Sequence, residues 1–182
     1  MKKMIGLMVA AAALPGAWSA GAPLPPSAFA GTYRAASNCP QYAEKGEDVQ
    51  FALDGANGLA VTYATHAWPG APALQSRDKI EHINQGPQSH TERGESGVSM
   101  IKDKAFTTKD SLVVEGKETN LMLFERFVPM GQSDGSVRTF QFVDPQRTQM
   151  RMTYQSCEGL AYSCQPYGAV CLLSRLDGAS SK

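Results

Sequence analysis

The sequence predicts an all-β fold, an antiparallel up-and-down β-barrel of about eight to ten strands, on three observations. Apolar residues alternate with polar ones in short runs along much of the chain after residue 28, the period of a half-buried strand. Several of the breaks between runs hold the glycine, asparagine and aspartate steps of tight turns. No segment carries an apolar stripe at helical spacing over three turns, so consecutive strands and not alternating strands and helices order the chain.

The amino terminus is the first element. Lys2 and Lys3 precede an apolar run from Met4 to Leu14, followed by the small residues Ala17, Ser19, Ala20 and Ala22. This is the layout of a secretory signal peptide over residues 1–22, leaving 23–182 as a single domain. The apolar run is too short to span a bilayer and stops at Pro15-Gly16. With no cysteine near the cut, the mature chain is expected to be soluble, periplasmic or secreted.

Pro23, Pro25 and Pro26 hold an extended lead-in to 29-FAGTYRAASNCP-40, an opening strand whose apolar face is Phe29, Tyr33 and Ala35. Val49, Phe51 and Leu53, then Leu59, Val61 and Tyr63, read as a hairpin closed by 54-DGANG-58, whose glycines supply the positive φ that a tight turn requires. The stretch 65-THAWPGAPALQSR-77 reads as a long loop with Trp68 at the barrel end, and 78-DKIEHIN-84 as a strand. The polar stretch 85-QGPQSHTERGES-96 reads as a solvated hairpin tip. Strands are expected at 97-GVSMIK-102 and 110-DSLVVEG-116, then a meander of 121-LMLFERFV-128, 136-SVRTFQFV-143 and 148-TQMRMTYQS-156, turned by 131-GQSDG-135 and Asp144-Pro145. A last apolar strand covers 169-AVCLLSRL-176. Residues 39–47 and 157–168 show no decisive pattern and allow a short helix.

Losing Lys2 and Lys3 takes 17 positive and 17 negative charges to 15 and 17, a formal charge of −2, which attracts neither nucleic acid nor an anionic membrane. No membrane insertion is expected. Cys39, Cys157, Cys164 and Cys171 all lie in the exported part, where an even number favours two disulfides; three pairings are possible. A metal site is not expected, because the last three are each separated by six intervening residues, unlike the short paired steps of zinc ligands.

No catalytic constellation emerges, and the chain is expected not to be an enzyme. The histidines are His66, His82 and His90; the last two share a polar neighbourhood with Glu81 and Glu92 but no metal-ligand spacing, and read as exposed. There is no Gly-x-Ser-x-Gly elbow and no phosphate-cradling glycine loop, so no cofactor is implied. The carboxylate pairs Glu115/Glu118 and Glu44/Glu47 read as solvated groups with ordinary titration. Phe51, Tyr63, Phe106, Met122, Phe124, Phe127, Phe140, Phe142, Met150, Met152 and Tyr154 are bulky residues on alternating faces. They fit either a solid barrel interior or the lining of a pocket for a small apolar ligand.

Gly31-Thr32-Tyr33 resembles the Gly-x-Trp step that opens the lipocalin barrel, with tyrosine in place of tryptophan, and Arg175 stands where that family's final strand places an arginine over the ring. The resemblance implies a lipocalin-like barrel that closes by pairing the first and last strands. Setting Tyr33 beside Arg175 then brings Cys39 near Cys171, implying a Cys39–Cys171 bridge with Cys157–Cys164 closing a local loop; Cys39–Cys157 is the competing pair. It also implies a non-enzymatic binder of a small apolar or amphipathic molecule, with Tyr33, Phe51, Tyr63, Phe124, Phe140, Met150, Met152 and Tyr154 inside and Trp68 at the mouth. An envelope structural or inhibitor protein with a solid barrel is the alternative. The lipocalin barrel has eight strands, and this chain shows about ten runs.

Overall fold

The computed structural model describes residues 21–39, 43–66, 71–94, 97–122, 133–159 and 163–176. The leader segment 1–20, Trp68 and Phe124–Val128 lie outside them. Ten strands follow one another: β1 (Gly31–Ala35), β2 (Asp48–Leu53), β3 (Leu59–Thr65), β4 (Leu74–Ile80), β5 (Gln88–Gly94), β6 (Gly97–Thr107), β7 (Ser111–Met122), β8 (Ser133–Phe142), β9 (Gln149–Gly159) and β10 (Ser163–Arg175). All pair antiparallel in a single sheet of order β4-β3-β2-β1-β10-β9-β8-β7-β6-β5. The only helical piece among the described residues is a 3-10 turn at Pro26–Ala28.

The all-β, up-and-down order is the one the alternation predicts. Strand positions differ in the middle of the chain. The strand expected at 78–84 lies four residues earlier, at Leu74–Ile80, and the polar hairpin tip expected at 85–96 contains β5. The expected 110–116 strand continues to Met122 as β7, and Ser133 to Gly135 belong to β8, not to a turn. Neither stretch allowed a short helix forms one: Cys39 and Ala43 make an isolated bridge, and β9 and β10 pair as a hairpin across 157–168.

The β2–β3 hairpin shows why its turn sequence is demanded. Gly55 sits at φ +72°, and a Cβ on Gly58 would lie 2.4 Å from the Asp54 carbonyl, whose own N–H donates to the Gly58 carbonyl at 3.0 Å. Gly58 leaves no room for a side chain, and the positive φ of Gly55 favours glycine there.

The first and last strands meet as expected, with Tyr33 opposite Arg175. The Arg175 guanidinium lies 5.6 Å from the centre of the Tyr33 ring and donates to the Ala30 carbonyl. Cys39 and Cys171 are bonded, their Cα atoms 5.0 Å apart and 132 residues apart in sequence. Cys157 is also disulfide-bonded, and the register sets it opposite Cys164, whose side chain is outside those described.

The sheet curls around one core. Tyr33 meets Phe51 edge-on at 5.6 Å, and Phe51 meets Phe140 edge-on at 5.2 Å, which joins β1, β2 and β8 across the interior. Leu59, Val61, Leu112, Met150 and Leu173 fill the remaining space, all buried. The Tyr33 hydroxyl donates to the Phe29 carbonyl at 3.1 Å, so this deeply buried phenol keeps a partner. The proline-rich lead-in crosses beneath this floor: Phe29 stacks on Phe142 at 5.0 Å, and the Thr107 hydroxyl donates to the Leu24 carbonyl at 2.6 Å.

One expectation is corrected: the sheet does not close into a barrel. β4 and β5 are neighbours in sequence and form the two edges of the sheet without pairing. Residues 81–87 connect them across the gap. His82, Asn84 and Gly86 all have positive φ, at 55°, 64° and 83°, which a tight hairpin between the strands would not need in this alternating pattern. The loop is instead spent on bridging the gap at its floor. Ile83 is buried and its N–H donates to the Asn57 carbonyl at 2.9 Å, while the Asn84 side chain exchanges two 2.9 Å hydrogen bonds with Thr107.

Truncating the central ring by Phe140→Ala is expected to cost about 3–5 kcal/mol of unfolding free energy in urea titrations, and Leu53→Ala, on an exposed strand end, less than about 0.5 kcal/mol.

Candidate functional site

The gap between the two edges opens onto a cavity of about 540 Å³. Alternation decides what faces it. On β4, Ile80 belongs to the floor, so Asp78 two residues earlier points inward on the same face. On β8, Phe140 belongs to the floor and Arg138 points inward above it. The same parity brings Val114 of β7 opposite Arg138, Ala105 of β6 opposite Val114, and Gln88 of β5 opposite Asp103. Ile80, Ala105 and Val114 supply the apolar part of the lining.

At its centre is a three-member polar network spanning the interior. The Arg138 guanidinium donates from Nη1 to Asp78 Oδ2 at 3.0 Å, and the Tyr63 hydroxyl donates to Asp78 Oδ1 at 3.0 Å. Both charged side chains are partly covered, 23% exposed for Arg138 and 34% for Asp78, so the pair is stronger than a surface contact and weaker than a dry one. Burial raises the Tyr63 phenol above its ordinary range, and its bond to the Asp78 carboxylate adds to this; the Arg138 charge opposes it. The hydroxyl therefore remains a donor at any physiological pH. Beside the network, Asp103 faces Gly116, where a Cβ would stand 3.3 Å from Asp103 Oδ1.

The residues expected to line an apolar pocket are divided by this arrangement. Tyr33, Phe51, Phe140, Met150 and Met152 are buried in the floor, packed on one another and not on the cavity. Tyr63 packs against the rim of the core and reaches the cavity through Asp78. Tyr154 is half-buried opposite Arg138. Trp68 and Phe124 are outside the described residues. His82 and His90 are exposed, as read, and both lie along the open lining of the cavity; His82 Nδ1 lies 3.0 Å from Gln85 Oε1 and His90 Nε2 3.3 Å from Glu92 Oε1.

Asp78 and Arg138 had no place among the expected site residues, although a signal existed. Each is a charge at a core-parity position, Asp78 in step with Ile80 and Arg138 with Phe140 and Phe142. One further expectation is corrected. Glu47 does not titrate as a solvated carboxylate: partial burial pushes it up, but the Glu44 N–H and the His66 ring outweigh this and hold it below its usual range.

Among the described residues no group of three or more histidine, cysteine, aspartate or glutamate side chains is placed to hold a metal ion. No described helix is long and apolar enough to cross a membrane. No protein-family model, curated protein or solved structure matches the chain.

Asp78→Asn and Arg138→Met are each expected to cost about 1–2 kcal/mol, and the double variant less than their sum, because the second change removes a charge already stranded by the first. Urea midpoints of the four proteins measure the coupling.

Proposed function

We propose that this chain is an exported, lipocalin-like, non-catalytic protein that holds a small amphipathic molecule in the cavity between β4 and β5. The observation that carries the reading is the cavity itself. At about 540 Å³ it falls in the range of small-molecule sites, roughly 300–1,000 Å³, and it sits above a floor that is already full. A purely apolar guest finds its natural place taken by Phe51, Phe140 and Met150. An amphipathic guest fits better: its apolar part lies on Ile80, Ala105 and Val114, and its polar group meets Asp78, Arg138 and the wall carrying Asp103. The disulfide between Cys39 and Cys171 supports an oxidising destination, periplasmic or secreted.

The solid floor also favours a second reading, an envelope interaction or inhibitor protein that uses its surface alone. Native mass spectrometry of the gently purified protein separates the two. The binder is expected to carry an extractable small molecule, and Val114→Trp, which enlarges a lining side chain where the cavity meets the floor, is expected to lose it. A bare polypeptide mass, with no fluorescence response to anilinonaphthalene sulfonate in either protein, overturns the binding reading.

A further inference from the structure

Outside the cleft, His66 has a hydrogen-bond partner at each of its two ring nitrogens. It follows β3 directly, and its side chain is 14% exposed. Nδ1 lies 2.6 Å from the Ala71 carbonyl oxygen, at the far end of the same connection, and Nε2 lies 2.6 Å from Glu47 Oε1 in the β1–β2 loop. A carbonyl oxygen can only accept, so Nδ1 carries a proton. Glu47 Oε2 accepts the Glu44 N–H at 2.8 Å, which uses the carboxylate as an acceptor on its other side. The short Nε2–Oε1 contact then also holds a proton, and the ring is an imidazolium with an acceptor at each nitrogen.

We propose that His66, Glu47 and the Ala71 carbonyl form a proton-held clasp that ties the β3–β4 connection to the β1–β2 loop and lets it go as the solution turns alkaline. The charged groups facing the ring from the β1–β2 loop are Glu47 and Glu44, both of which favour the cation. Residues 67–76 include no ionisable side chain. The Ala71 carbonyl and the Glu47 carboxylate raise the His66 pKa, against the opposing effect of burial. A raised histidine contributes fully below its ordinary value of 6.5 and is lost as pH rises through the higher folded value. A lowered glutamate contributes above its ordinary value of 4.5 and is lost as pH falls through the lower folded one. The clasp therefore contributes its full stability between pH 4.5 and 6.5, and it opens above this window as His66 loses its proton and below it as Glu47 gains one. The hairpin it restrains carries Tyr63 and Asp78, one wall of the cleft.

The test is a histidine-selective nitrogen NMR titration of the oxidised mature protein, with amide exchange of Glu44 followed over the same range and corrected for intrinsic rates. Both His66 ring nitrogens are expected to be protonated at pH 6.5, with a midpoint above that value, and Glu44 exchange is expected to rise several-fold through the same midpoint. Glu47→Gln keeps an acceptor for the Glu44 N–H while removing the charge, and is expected to move the His66 midpoint down. His66→Gln is expected to abolish the step in Glu44 exchange. A neutral His66 ring at pH 6.5, or an exchange step that persists in His66→Gln, overturns the proposal. None of these readouts involves a ligand, so the clasp and the binding reading stand or fall separately.

Discussion

The whole structure depends on a joint three residue pairs long. β1 to β4 form one meander and β5 to β10 another, and the β1–β10 pairing at Tyr33, Arg34 and Ala35 is the hydrogen-bonded seam that makes them one sheet. So short a ladder would be weak alone. It is reinforced at one end by the Cys39–Cys171 bond and at the other by Arg175, which covers the Tyr33 ring and reaches the Ala30 carbonyl. Tyr33 in turn begins the edge-to-face chain through Phe51 to Phe140, so the joint and the core share a residue.

Because the two meanders are joined on that side, they part on the other, and there the interior is polar. The floor draws on Tyr33, Phe51, Leu59, Val61 and Ile80 of the short strands β1 to β4, whereas β6 to β10 run 10 to 13 residues and extend beyond it. Above the floor their inward positions include Asp103, Glu118, Asp134, Arg138 and Ser156, residues that tolerate water, beside Ile101, Val114 and Tyr154. Arg138 and Asp78 bind the β8 wall to the β4 edge across this wetter half, and the Ile83–Asn84 bridge does the same at the bottom. The cavity is what remains between these two ties.

How much of this could be read from the residues follows from where hydrophobic contrast exists. The β2–β3 hairpin was legible because both its strands have one dry face and its turn has glycines where a side chain is excluded or disfavoured. β5 was not, for the opposite reason: Gln88, His90 and Glu92 face the open polar interior while Ser89 and Thr91 face solvent, so neither side leaves an apolar signal. The Cys39–Cys171 bond was implied by the resemblance that sets the first strand beside the last, and not by the cysteine spacing, which left three pairings. The Asp78–Arg138 contact joins residues 60 positions apart, and only the topology supplies that neighbourhood, even though each charge already stood at a core-parity position of its run.

An incompletely closed sheet raises the question of why copies do not stack on its bare edges. The unpaired backbone of β4 borders the same cavity as that of β5, so the two rows of donors and acceptors flank one gap instead of two open sides of the molecule. Within that gap Asp78 points inward from one edge strand, and the exposed Arg77 and Lys79 flank it along the lining. An intruding strand would have to thread between both rows and bury a charge to do so. The opening that admits a small guest thus discourages the ribbon-to-ribbon growth by which exposed strands build fibres.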